Sequence, residues 1–185
     1  MSNAKFQNNR VFVALILALA MAATRAHLLP VPDASWAIFL LGGFYLRSAL
    51  VFGAFMAEAA VIDYVVTNFA GVSDWCITPA YLFLIPAYGS LWLGGLWYAR
   101  RHRLALPSLL PLAGAALGAV AVAFLISNAS FYLLSGYFPE MSWSEYASRV
   151  AKYFPRYLST TAAYLGVAAI VHLAVVHARA RLQRA

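Results

Sequence analysis

Cys76 is the single cysteine of the chain, and it stands in the turn-rich stretch Gly71-Val-Ser-Asp-Trp-Cys-Ile-Thr-Pro79. One cysteine builds no internal disulfide and no multi-cysteine metal cage. In an apolar protein such a residue is most often a small buried hydrophobe. Near the head of a helix, however, a thiol is shifted toward thiolate, a soft ligand suited to zinc, copper, iron–sulfur or cobalt centres. Any metal held by this one thiolate would have to arrive with its other ligands attached. Asp63, in Val61-Ile-Asp-Tyr-Val65, is an ionisable group inside an apolar run. Such a group marks a functional site by default, the alternative being a helix-packing hydrogen bond or salt bridge. Glu58 lies five residues earlier, hence on another helix face, and reads as structural, paired with Arg47 or a polar group of a neighbouring helix. His27, in Arg25-Ala-His-Leu-Leu-Pro30, is either a ligand contact or an interfacial histidine with no ligand. Tyr81 divides in the same way between a site residue and an aromatic-belt residue. His102, His172 and His177 fall at the opposite end, which argues against a three-histidine metal site.

The elements that carry these residues follow from composition. The 185 residues are 64% hydrophobic and 10% charged, against about 25% charged in a soluble domain. That excludes an ordinary cytosolic enzyme, a disordered chain and a disulfide scaffold, and points to one polytopic membrane domain, residues 1–185. The net charge of +7 reads as orientation, because Lys and Arg are retained on the cytoplasmic side. Nucleic acid is not an expected partner. Val11–Ala23 resembles the core of a signal peptide, but further spans follow it. The basic clusters Lys5/Arg10, Arg100/Arg101/Arg103 and Arg179/Arg181/Arg184 contain no acid, and they place both termini and the 100–103 loop inside. An even number of spans must then separate Arg10 from Arg100. As one helix, Trp36–Phe69 would be a rod of about 51 Å, too long for about 30 Å of hydrocarbon. A break at Arg47-Ser48 restores the parity. The expected architecture is an all-α, six-span bundle over residues 11–29, 34–46, 49–69, 81–99, 107–135 and 157–178. Its second span is short, hence embedded among neighbours or only partly spanning.

This topology puts Asp33, Asp74, Glu140 and Glu145 at the outer end, with Arg25, His27, Arg149, Lys152 and Arg156. Ser142-Trp-Ser-Glu145 reads as a capping box. It opens a short interfacial helix near 142–154 with Trp143, Tyr146, Ala147, Val150 and Phe154 on one face and Glu145, Arg149 and Lys152 on the other. Pro155 is expected to end it. Trp36, Trp75 and Trp143 are candidates for belt or pocket wall around an outer cavity. Small-residue ridges occur at Ala14/Ala18/Ala22, at Gly114/Gly118 and at Ala115/Ala119/Ala123. These let helices approach closely in lipid, for internal packing in the fifth span and for packing or an external partner in the first. There is no phosphate-binding glycine motif, no HExxH and no GxSxG, so the chain has no means of its own to hydrolyse ATP.

Six spans in a short chain, an outer site and an Ala-xxx-Ala first helix resemble the S components of energy-coupling-factor vitamin transporters. More specifically, Leu29-Pro-Val-Pro-Asp-Ala-Ser-Trp-Ala-Ile-Phe-Leu-Leu-Gly-Gly-Phe-Tyr-Leu46 and Asp74-Trp-Cys-Ile-Thr-Pro-Ala-Tyr81 resemble the BtuM family of small proteobacterial cobalamin transport proteins. The resemblance implies a multi-pass protein of the bacterial inner membrane whose site faces the periplasm. It implies Cys76 as axial ligand to the cobalt of cobalamin, with His27, Asp63, Tyr81 and Arg149 as corrinoid contacts. It further implies cysteine-dependent removal of cyanide from cyanocobalamin, and an energising module as a partner docking on the Ala14/Ala18/Ala22 face. Cobalamin supplies four equatorial nitrogens, so one thiolate suffices, and its rim amides call for hydrogen-bonding side chains. The competing readings are an S component for another vitamin with Cys76 incidental, a membrane cobalamin-processing enzyme, and a structural subunit that uses the alanine ridges.

Overall fold

The computed structural model describes residues 2–75 and 77–183. Among these the chain is helical and has no strand. Six α-helices follow one another: α1 (Ser2–Arg25), α2 (Ser35–Tyr45), α3 (Ala49–Phe69), α4 (Leu84–Ala99), α5 (Leu109–Leu134) and α6 (Trp143–Leu182). Short 3-10 turns at Pro79–Phe83 and Leu106–Ser108 lead into α4 and α5. Four helical stretches are long and apolar enough to cross a membrane: Ala49–Phe69, Pro79–Ala99, Leu106–Leu134 and Trp143–Leu182. Their outward faces carry Val61, Leu93, Leu117, Ile170 and many other exposed apolar side chains. Such a surface suits hydrocarbon rather than water, and the molecule is read as a membrane protein.

The 36–69 segment divides between Tyr45 and Ala49. Arg47 there has φ 53, and both its N–H and that of Leu46 turn back to the Gly42 carbonyl. A left-handed residue at this position ends a helix. Arg47 Nε donates to the Phe44 carbonyl at 3.1 Å, so this cation caps the end of α2 instead of pairing with Glu58. The short α2 is buried along most of its length, from Ser35 to Leu40 and at Gly42 and Gly43. A helix apolar all round belongs inside a protein, and one sheathed by neighbours need not match the bilayer thickness.

What sheathes it is chiefly α4, and glycine sets the distance. A Cβ on Gly43 would overlap the Trp92 carbonyl, one on Gly95 the Leu40 carbonyl, and one on Gly42 the Trp92 ring. The two backbones therefore touch, as small residues allow in membranes. Around the crossing, Phe39 stacks on Tyr88 at 4.2 Å between ring centroids, and Trp92 packs edge-on against Phe52 and Phe55. On α5 the ridge Ala115, Ala119 and Ala123 is buried and meets Gly94 of α4. Gly114 and Gly118 face open space, so the packing expected of them belongs to the alanines. On α1, Ala14 and Ala18 pack against the core, half-buried.

One element departs from expectation. Residues 142–154 are no separate interfacial helix: α6 runs unbroken for 40 residues through Pro155, about 60 Å at 1.5 Å per residue. Proline removes one helical hydrogen bond and crowds the preceding turn, at about 3 kcal/mol. Ending the helix there would instead give up several backbone hydrogen bonds at once and unseat the side chains that flank the proline. Tyr153, Phe154 and Leu158, on both sides of the proline, pack on the same core and hold the two halves in line. The Ser142 hydroxyl accepts the Glu145 N–H at 3.2 Å, so the predicted N-cap is the start of this long helix. Trp143 is 87% exposed.

Gly95→Ala and Gly43→Ala should each destabilise the protein by about 1–3 kcal/mol through overpacking. Gly114→Ala, which meets nothing, should be neutral or slightly stabilising by helix propensity. Thermal unfolding in detergent separates the two classes, and equal Tm values across all three would refute the close α2–α4 contact.

Candidate functional site

At one end of the bundle the C-terminus of α1, the start of α2, the end of α3 and the start of α4 converge on Arg25. Its side chain is only 10% exposed. Nε donates to Asp63 Oδ1 at 2.7 Å and Nη2 to Asp63 Oδ2 at 2.6 Å, a bidentate pair of the strong kind. Nη1 is shared among the Tyr88 hydroxyl at 2.8 Å, Ser35 Oγ at 3.1 Å and Asp33 Oδ2 at 3.3 Å. Asp33 Oδ1 in turn accepts the backbone N–H and the hydroxyl of Ser35, which caps α2 from the preceding loop. Tyr81 donates its hydroxyl to Asp63 Oδ2 at 2.7 Å.

The turn after α1 sets His27. Its N–H bonds to the Thr24 carbonyl and the Leu28 N–H to the Ala23 carbonyl, the paired closure of a Schellman motif. The left-handed position, usually glycine, is His27 itself, with φ 55. A non-glycine residue there is held at a cost of about 1–2 kcal/mol.

These groups border a half-open cavity of about 300 Å³. Arg25, His27, Asp63, Tyr81 and Tyr88 form its polar part, and Trp36, Val66, Leu84, Phe131 and Tyr157 its apolar part. Ser73 and Ile77 line it from the 70–78 loop. Cys76 lies outside the described residues. Trp36 is buried and packs on Tyr157 at 4.7 Å, so it is pocket wall. Trp75 is half exposed and stacks on Tyr137 at 3.9 Å with nearly parallel rings. Among the described residues two buried side-chain oxygens have no protein partner, Thr78 Oγ1 and Asn128 Oδ1, and neither residue belongs to the cavity lining.

Of the residues singled out from sequence, His27, Asp63 and Tyr81 come together on this cavity, and Arg149 stands apart from its lining. Arg149 pairs with Glu145 at 3.1 Å, one turn away, touches the Tyr132 hydroxyl at 3.4 Å, and lies over the Phe138 ring at 4.9 Å. Sequence reasoning treated Arg25 as one outer charge among several, although it is the centre of the network. Its signal was slight: a cation closing an otherwise apolar helix, with Asp33 eight residues on. At the other end, the Tyr45 hydroxyl meets His172 Nδ1 at 3.0 Å and the Tyr98 hydroxyl meets His102 Nδ1 at 2.9 Å. No group of three or more His, Cys, Asp or Glu among the described residues could hold a metal ion.

Asp63→Ala should destabilise by about 3 kcal/mol, because it strands a buried guanidinium. An Arg25→Met/Asp63→Met double variant should recover much of that loss, whereas strict additivity would deny the coupling. His27→Gly should raise stability by about 1 kcal/mol through relief of the left-handed strain, read as a higher Tm in detergent. No protein-family model matches this chain, and no curated protein matches it either.

Proposed function

We propose that the protein is a cobalamin-binding membrane transporter of the S-component type. In this reading it spans the bacterial inner membrane six times, with both termini in the cytoplasm and the Arg25–Asp63 cavity open to the periplasm. The observation that carries the proposal is the convergence of His27, Asp63 and Tyr81 on one cavity, with loop residues Ser73 and Ile77, which flank Cys76 in sequence, on its wall. The donor set fits the amide rim of a corrinoid. Asp63 accepts three hydrogen bonds within the protein, and a carboxylate offers about four sites, so one remains for an amide N–H.

Cys76 thiolate would take one axial position on cobalt. Its donation weakens the opposite axial bond, so cyanide leaves with the bonding electron pair and the cobalt oxidation state is unchanged. A reductive course would need one further electron from an external thiol. Arg149 would engage the corrinoid periphery only by leaving Glu145 and Tyr132. At about 300 Å³ the cavity sits at the small end of ligand pockets, and a corrinoid is much larger, so binding would require the cavity to widen. An energising module would meet α1 along the half-buried Ala14/Ala18/Ala22 edge. The second reading, a membrane enzyme that processes cobalamin, uses the same site and differs in whether the ligand crosses.

Protein purified with cobalamin should be coloured, with a corrinoid band shifted by thiolate ligation and returned to its free position in Cys76→Ala. Colourless protein in the presence of ligand would overturn both readings. Uptake in a cobalamin-dependent strain, with and without Cys76, distinguishes transporter from processing enzyme.

A further inference from the structure

At the end of the bundle opposite the Arg25 site, the end of α2, the end of α4, the 102–108 loop, the start of α5 and the middle of α6 enclose a second cavity of about 390 Å³. Its walls are aliphatic, with Leu40, Leu41, Leu112, Leu165 and Leu173 among them. Its mouth is rimmed by Leu104, Leu106 and Leu109, which are 60, 82 and 55% exposed. An exposed leucine rim around an aliphatic cavity calls for an apolar occupant. One edge is polar. The Tyr45–His172 and Tyr98–His102 pairs lie there, the two imidazole rings 5.4 Å apart, together with Ser108 and Arg103.

Charge decides which apolar occupant fits. The six acids of the chain are Asp33, Glu58, Asp63, Asp74, Glu140 and Glu145, and none lines this cavity. Arg103 does, and Arg100 and Arg101 precede it in the same loop. Arg101 lies over the Trp97 ring at 3.9 Å and outside the lining. Burial and the neighbouring His172 hold His102 below the usual histidine range, and Arg103 is the permanent cation at this edge. Basic pockets between membrane helices suit anionic headgroups.

We propose that this cavity is a binding site for one anionic phospholipid. An acyl chain would lie along Leu40, Leu112 and Leu165, and the phosphate would sit at Arg103, within reach of Ser108. A phospholipid satisfies the rim and the cation together, whereas a free phosphate would leave the leucines uncovered.

Native mass spectrometry of the full-length protein in mild detergent tests this, with phosphatidylglycerol and phosphatidylcholine of identical acyl chains as probes. One phosphatidylglycerol should be retained in preference by about fivefold or more, the effect of about 1 kcal/mol for one arginine near a headgroup. Arg103→Gln should abolish the preference, and Arg101→Gln should leave it in place. Leu112→Trp, which fills the cavity, should lower retention of both lipids, with thermal unfolding confirming that the variant is folded. Equal retention of the two lipids, retention of neither, or an undiminished preference in Arg103→Gln would each overturn the proposal. Displacement of the lipid by glycerol phosphate alone would also overturn it, by showing that the site reads the headgroup without the chain.

Discussion

A guanidinium removed from water must find its counter-charge and its hydrogen-bond acceptors within the protein, and Arg25 of α1 finds them on three further chain segments, so that four are tied together. Asp63 comes from α3, Asp33 and Ser35 from the entry to α2, and Tyr88 from α4. Because the penalty for leaving any large part of this charge unmet is several kcal/mol, the four segments cannot drift apart independently. The cavity beside Arg25 inherits its shape from that requirement. Tyr81 is placed by the same carboxylate, and Trp36 follows Ser35, which is fixed both as an acceptor of Arg25 and as the capped start of its helix.

Between its ends the molecule relies on contact rather than charge. The backbones of α2 and α4 meet through Gly42, Gly43 and Gly95, and that closeness places Phe39 flat on Tyr88. Tyr88 thus belongs both to the apolar packing and, through its hydroxyl, to the Arg25 network. A displacement in either would be felt in the other.

Much of this was legible in the sequence. The scarcity of charge indicated the solvent, and Arg47-Ser48 marked where a long apolar run turns. Asp63 stood out because a carboxylate inside an apolar run needs a reason to be there. The centre of the site stayed hidden because of distance along the chain. Arg25 meets Asp63 and Tyr88 at separations of 38 and 63 residues, and no local pattern announces such pairs. Glu145 and Arg149, one turn apart, were readable as neighbours on a face, yet their mutual pairing, with Tyr132 and Phe138 added, keeps Arg149 off the cavity wall. The glycines at the α2–α4 crossing carry no periodic ridge of the kind visible on α5. Pro155 misled because the side chains on both sides of it, Tyr153, Phe154 and Leu158, pack on one core and keep the helix in line at the cost of a single hydrogen bond.

The uninterrupted course of α6 has a consequence for both cavities. Only Thr161 and Leu165, near its midpoint, are fully buried along its 40 residues. Other attachments are made by partly buried side chains: Tyr153, Phe154 and Leu158 pack on the core, the Tyr164 hydroxyl bonds to the Pro32 carbonyl, and His172 meets Tyr45. Tyr157, on the cavity beside Arg25, and His172, on the cavity at the opposite end, stand on its two halves, so one unbroken helix supplies part of the wall of both.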